Sequence, residues 1–551
     1  MIVGGARRTE NNASRRGGPG AAGAEGGGAA GLGRRPWWIW TVPFAVVLGV
    51  LLARNAFLFS SPLYEEADMG ANSILIEQAR RFTLLVGQYS REKFNHPGPA
   101  FLYVQSWGES VFWAALRLVP TAWNGQLIAV FALNALFVAL VAGAGYGQAR
   151  SVRTAAACGA ALLAFAAVRP AVLSSGWMPF MLVPAYVAFL VGISSVAAGR
   201  WQDAWIAALT GWFLINGNVA FLFFVPLAVC GCVAALAWPR RRRLGAAARA
   251  FFARRKRIWV PVAVISVVFA FPIVLNTLLH WPGEFGKYLT YSTASSAAAS
   301  PGAHGLPQVA KYVLWYWWPG GSRAGWLVPV AAYVLAAAAT WWMAPGPARG
   351  FCAWLLAFDV LTSAAFVCYA AAGIDELDPT GRYIGYFYWA APAITLLIIL
   401  VAVTESLPPL SGLAVAATAA VVACAAFAVA PLTRTSTGSV DVVAGSGVPT
   451  DPGLPAGVAR MAGLAAGRPV VLTLAHDAWP AMTGILVQAE RTGVTVCLDG
   501  SRWEFMVTSQ FICTPGQLAH GARFHLYVPG HVPHGQRVVD KLRIATLTGP
   551  E

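Results

Sequence analysis

Apolar windows close to twenty residues long, broken by at most one charge, recur along most of the chain. About 20 apolar residues in a helix match the hydrocarbon core of a bilayer. The windows predict spanning helices near 37–58, 125–147, 154–172, 178–198, 204–216, 219–238, 258–279, 326–343, 351–372, 383–403 and 410–430. The expected fold class is an all-α polytopic membrane protein of about 11 transmembrane helices over residues 36–431. The pattern then changes. After a Gly/Pro/Ser/Thr-rich linker (432–467), Val470–Leu474 and Val494–Leu498 are β-rich and 478–491 has helical spacing. The stretches RWEFMVT and RFHLYV read as two more strands, giving a small α/β domain at 468–551.

Composition sharpens this picture. At 57% hydrophobic residues and a mean hydropathy of +0.59, the chain is too apolar for a soluble globular protein. A net charge of +16 in a soluble domain would point to nucleic acid, but here the basic residues flank apolar spans, so no nucleic-acid partner is expected. Arginine outnumbers lysine and Ala and Gly abound, a composition of GC-rich bacterial genomes. Residues 1–35 are Gly/Ala-rich and basic without an apolar core segment, and read as a disordered cytoplasmic tail.

Charge sets the orientation. With the N-terminus inside, Arg150, Arg153, Arg200, the run from Arg240 to Arg257, and Arg349 all fall on the cytoplasmic side, as the positive-inside rule requires. The segments 59–124, 280–325, 373–382 and everything after 431 then lie outside. Residues 99–119 are apolar enough to span, but spanning would reverse that charge layout; with Glu109 and Arg117, they are expected as an interfacial or re-entrant helix. A bacterial inner (plasma) membrane is the expected location.

The first external loop, 59–124, concentrates the polar chemistry. PLYEEADMGANSILIEQARR places Glu65, Glu66 and Asp68 within four residues. Ile74, Leu75, Phe82, Leu85 and Val86 then recur on a helical period opposite Glu77, Arg80 and Arg81, predicting an amphipathic helix along the membrane surface. Pro97, Gly98 and Pro99 make an extended corner, NHPGPAF, ahead of an aromatic-rich helix.

This acidic cluster after the first span, the amphipathic helix and the proline corner resemble the GT-C glycosyltransferases, especially the protein O-mannosyltransferase and lipid A aminoarabinose transferase branch. Here Glu-Glu-Ala-Asp stands where that branch has adjacent Asp-Glu, and Pro-Gly-Pro where it has Pro-Pro. The resemblance implies an inverting sugar transfer from a polyprenyl-phosphate donor to a glycan, lipid or protein acceptor of the cell envelope, at the external face. A carboxylate in hydrogen-bond reach of the acceptor hydroxyl is the general base that such a reaction needs. Asp68 is the first choice, with Glu66 and Glu65 after it; the small residues of DMGANS would let a substrate approach. The plain alternative for Asp68 is a helix cap. Cations for the donor phosphate are Arg80, Arg81, Arg91, Lys93, His96, Lys311, Arg323 and Arg382.

Other polar residues carry weaker signals. Asp359 lies inside a predicted span. Asp375, Glu376 and Asp378 form no recognised metal signature, and no metal or other cofactor is expected, although some GT-C branches use divalent cations. His476-Asp477 after a strand reads as a turn or cap rather than a catalytic pair. Six of eight cysteines fall in apolar spans, while Cys497 and Cys513 lie together in the outer domain, where an oxidising space predicts a disulfide. A transporter or flippase of lipid-linked sugars is the competing class. Transporters carry internal repeats and midplane charges, whereas this chain shows no clear repeat and gathers its acids at one rim.

Overall fold

The apolar windows become helices. The computed structural model describes residues 35–238, 256–298, 305–318, 325–374, 377–379, 381–430 and 451–550; the tail to residue 34, most of the arginine run at 240–257, Arg323, Asp375, Glu376 and the first part of the linker lie outside them. Among the described residues, six helices are long and apolar enough to cross a membrane: Ala122–Ala149, Met178–Ala197, Arg257–Leu279, Gly346–Ala372, Arg382–Ser406 and Pro409–Val429. Shorter apolar helices cover Trp38–Arg54, Val152–Val168, Phe221–Ala237 and Leu327–Met343. A helix at Ala204–Gly217 completes the predicted set. Small residues set the helix packing, as is usual where lipid removes the hydrophobic drive for association. A side chain on Gly145, for example, would strike Cys158 of the neighbouring helix. At the end of the bundle away from the acidic loop, Arg153 pairs with Glu405 at 2.8 Å and Thr154 donates to the same carboxylate.

The segments expected to share one side do meet at the opposite end. The backbone N–H of Asn95 donates to Glu284, the Tyr312 hydroxyl donates to the Gly381 carbonyl, and Arg491 reaches Glu65. There the C-terminal domain forms a five-stranded sheet, β1 (Val470–Leu474), β2 (Val496–Leu498), β3 (Ala522–Tyr527), β4 (Arg537–Lys541) and β5 (Thr546–Gly549). The order is β2-β1-β3-β5-β4, with β2, β1 and β3 parallel and β5 and β4 antiparallel additions. Helix Trp479–Thr492 joins β1 to β2. Cys497 and Cys513 are disulfide-bonded, closing the segment between β2 and β3.

Several expectations are corrected here. RWEFMVT is no strand: Glu504–Val507 is a helical turn. The expected linker contains a helix, Leu454–Ala465, whose Leu454, Val458 and Met461 join the core of the sheet domain. The first-loop helix is Ala67–Arg80, so Phe82, Leu85 and Val86 lie beyond it. It does not rest an apolar face on a membrane surface; both faces are covered. Ala71 and Ile74 join the C-terminal core, and Leu75, Ile76 and Ala79 pack with Leu84 and Leu102. Residues 100–115 are continuous helix, ending in a π-helical turn; Glu109 within it is fully buried, while Trp107 on the same helix is exposed.

Gly70 explains how the two halves come so close. A Cβ there would stand 2.6 Å from Thr483 Oγ1 of helix Trp479–Thr492, and a Cβ on Gly484 would stand 2.9 Å from the Glu65 carbonyl. The small residues of DMGANS therefore admit a helix of the C-terminal domain, not a substrate.

Candidate functional site

The three acids of the opening loop diverge. Ala67 adopts a left-handed backbone (φ 51°), a conformation costly for a residue with a Cβ, and Thr483 Oγ1 donates to its carbonyl at 3.0 Å. That contact holds the first turn of the helix in place and aims Asp68 into a cavity of about 520 Å³ between the membrane helices and the C-terminal domain. Tyr89 donates its hydroxyl to one Asp68 oxygen, and Trp177 Nε1 donates to the other at 2.9 Å. Burial pushes the Asp68 carboxyl above the ordinary aspartate range, and these two hydrogen bonds to its charged form pull the other way. The result is a carboxylate more basic than a free one, fixed in orientation, with lone pairs left for a further donor. Tyr89, pushed upward by its own burial and by Asp68, stays a neutral donor.

Glu65 and Glu66 point elsewhere. Glu65 ion-pairs with Arg491 of the C-terminal domain at 2.6 Å, and the same guanidinium reaches Glu77 at 3.4 Å and Glu109 at 3.5 Å. Arg80 closes the node from the other side, 3.1 Å from Glu77 and 3.0 Å from Glu109. Gln126 donates to Glu109, whose carboxyl burial pushes up to about 7. Glu66 is buried against the C-terminal domain; neither of its oxygens accepts a hydrogen bond. Burial, reinforced by Asp451 and opposed by Arg543, pushes it up to about 9.

Glu66 thus carries a pH prediction. A carboxyl raised from 4.5 in the unfolded chain to about 9 in the folded one holds its proton only in the folded state between those values. Stability then falls as pH rises through that window. Glu66→Gln should keep the fold and flatten this fall, so that its thermal midpoint in detergent gains on wild type between pH 5 and 8. A constant difference across that range would place Glu66 in water.

The cations also separate. Arg80 is committed to Glu77 and Glu109, and Arg81 meets Glu490 at 3.4 Å. His96 lines the cavity but accepts a hydrogen bond on Nδ1 from the Val219 N–H, and burial lowers it to about 4. It is neutral at physiological pH and fixes the proline corner, where Gly98 hydrogen-bonds the Asn216 carbonyl. Lys93 lies on a second, neighbouring cavity. Lys311 is exposed on helix Leu306–Trp315 and lines neither cavity. Arg91 is exposed at the first cavity, over the Tyr383 ring at 6.0 Å. Arg382 lies over Trp315 at 4.6 Å. No family model, curated protein or solved structure matches the chain.

An aromatic ladder links these parts. Trp177 lies 5.5 Å from Tyr383 and 6.1 Å from Tyr386, and Tyr386 stacks on Trp389 at 4.3 Å. Arg169 sits over Trp389 at 5.5 Å. Arg169 and Arg382 are half-buried, and among the described residues neither has a carboxylate at ion-pair distance. Two guanidiniums held on aromatic faces without an acid are poised for an anion with several acceptor oxygens. Arg169 is missing from the candidates read in the sequence because it falls inside the predicted span 154–172; an arginine within a span was the available signal. Tyr89 and Trp177 gave no local signal at all. Asp359 is buried on helix Gly346–Ala372 and lines neither cavity, and Asp378 caps a turn by accepting from the Gly381 N–H. Among the described residues no cluster of His, Cys, Asp or Glu has the makings of a metal site.

Proposed function

We propose that the chain is a GT-C-type glycosyltransferase that moves a sugar from a polyprenyl-phosphate donor to a cell-envelope acceptor on the external face of a bacterial plasma membrane. The observation that carries this reading is Asp68: one carboxylate, held by Tyr89 and Trp177 at a cavity from which the aromatic ladder leads to Arg169 on Trp389 and, through Trp315 at 6.2 Å from Tyr386, to Arg382, two acid-free guanidiniums beyond the cavity lining. In this reading Asp68 takes the proton of the acceptor hydroxyl as its oxygen attacks the anomeric carbon. The donor C–O bond breaks with inversion, and the departing phosphate keeps the bonding pair, stabilised by Arg169 and Arg382. The polyprenyl tail stays in lipid beside the ladder. Glu65 and Glu66 hold the C-terminal domain in place and take no part in the chemistry. All eleven apolar helices span, and the amino-terminal tail is cytoplasmic.

The test is a proteoliposome assay with radiolabelled polyprenyl-phosphate sugars and total envelope glycan as acceptor. Transfer should yield product of inverted anomeric configuration. Arg169→Gln and Arg382→Gln should each raise the donor KM about tenfold, the scale of one lost charged hydrogen bond, and leave the acceptor KM unchanged. Lipid-linked sugar crossing the bilayer without covalent transfer would establish a flippase instead.

A further inference from the structure

A second cavity, about 760 Å³, adjoins the first and shares with it His476, Trp503, Phe505 and Met506 of the C-terminal domain. The shared wall is aromatic and ordered. His476 stacks on Trp503 with ring centroids 5.4 Å apart, Arg502 lies over Trp503 at 5.5 Å, and its guanidinium reaches His476 Nδ1 at 3.0 Å. Phe505 meets the edge of Tyr89 at 6.0 Å, and Tyr89 donates to Asp68. A continuous line of rings therefore runs from the candidate base to the second cavity.

The remaining lining differs from that of the first cavity. Lys93 and Arg502 bring two positive charges against the single carboxylate of Glu504, Lys287 being paired with Glu284 at 2.8 Å, with Gln78, Asn95 and Ser501 beside them. Aromatic faces suit the C–H face of a pyranose, amides and hydroxyls suit its hydroxyls, and the excess of cations selects a ligand carrying carboxylates. We infer that the second cavity is the acceptor site, that it takes an acidic oligosaccharide, and that the His476–Trp503 wall delivers the end of that chain to Asp68. This deepens the glycosyltransferase reading and rests on it only for the word acceptor; binding of the oligosaccharide is a separate property.

The experiment titrates the full-length protein in detergent with tetragalacturonate and with maltotetraose, matched in length and differing in charge, following tryptophan fluorescence. Tetragalacturonate should bind at least about tenfold more tightly, and Arg502→Ala and Lys93→Ala, both on exposed side chains, should each weaken it by about that factor. Asp68→Asn should keep the preference for tetragalacturonate over maltotetraose, which separates this inference from the catalytic one: transfer can fail while charge-selective binding holds. Equal affinity for both oligosaccharides, no binding of either, or wild-type affinity in both cavity variants would overturn it.

Discussion

If Asp68 is the proposed base, Asp68→Asn should leave less than about one hundredth of wild-type sugar transfer, the lower bound for loss of a general base, in a protein that still folds and unfolds cooperatively. The amide preserves the shape that Tyr89 and Trp177 hold but has no proton affinity. Glu65→Gln and Glu66→Gln serve as controls, since both side chains face away from the cavity. Tyr89→Phe gives a finer reading. With Asp68 as the base, the rate should rise with pH as Asp68 loses its proton, and the Tyr89 hydrogen bond favours the charged form. Its removal raises the carboxyl further, so the acid limb of the rate profile moves to higher pH. Turnover of Asp68→Asn at wild-type level, or an acid limb displaced downward in Tyr89→Phe, sinks Asp68 as the base.

Arg491→Met is the second large effect, on stability. The Arg491 guanidinium is nearly buried, and Glu65 and Glu109 beside it are fully so. Arg80 still serves Glu77 and Glu109, but Glu65 is left as an uncompensated buried charge. Breaking such a pair costs about 3–5 kcal/mol. Adding Glu65→Gln to Arg491→Met should recover a large part, a coupling that a double-mutant cycle measures. Because the node joins helix Ala67–Arg80 to helix Trp479–Thr492, amide exchange should quicken in both together. Quickened exchange in only one of them would show that the node does not couple the halves.

The helices were legible because apolar length is a strong, local signal, and each predicted span coincides with a helix. The disulfide was legible from position, since Cys497 and Cys513 are the two cysteines of the sequence outside the apolar spans. The site was legible only in part. Glu65, Glu66 and Asp68 look alike in sequence, and their separate fates follow from Arg491, Asp451 and Trp177, hundreds or at least a hundred positions away. The apolar stripe of Ile74 and Leu75 predicts a face on the membrane surface, but it packs on protein, since a helix face that packs on protein and one that rests on lipid have the same period. Glu109 looked interfacial because its counter-charge comes from the other end of the chain. Gly70 shows the same limit: a small residue permits close approach without saying what approaches.

The Thr483 contact to Ala67 has a bearing on biosynthesis. The first turn that aims Asp68 emerges early, yet its left-handed backbone is supported by a residue 416 positions later. Until the C-terminal domain has been made, moved to the same side as the first loop and folded, nothing clamps that turn. The turn that aims Asp68 is therefore clamped only after the whole chain has been made and its two ends have met on one side of the helix bundle.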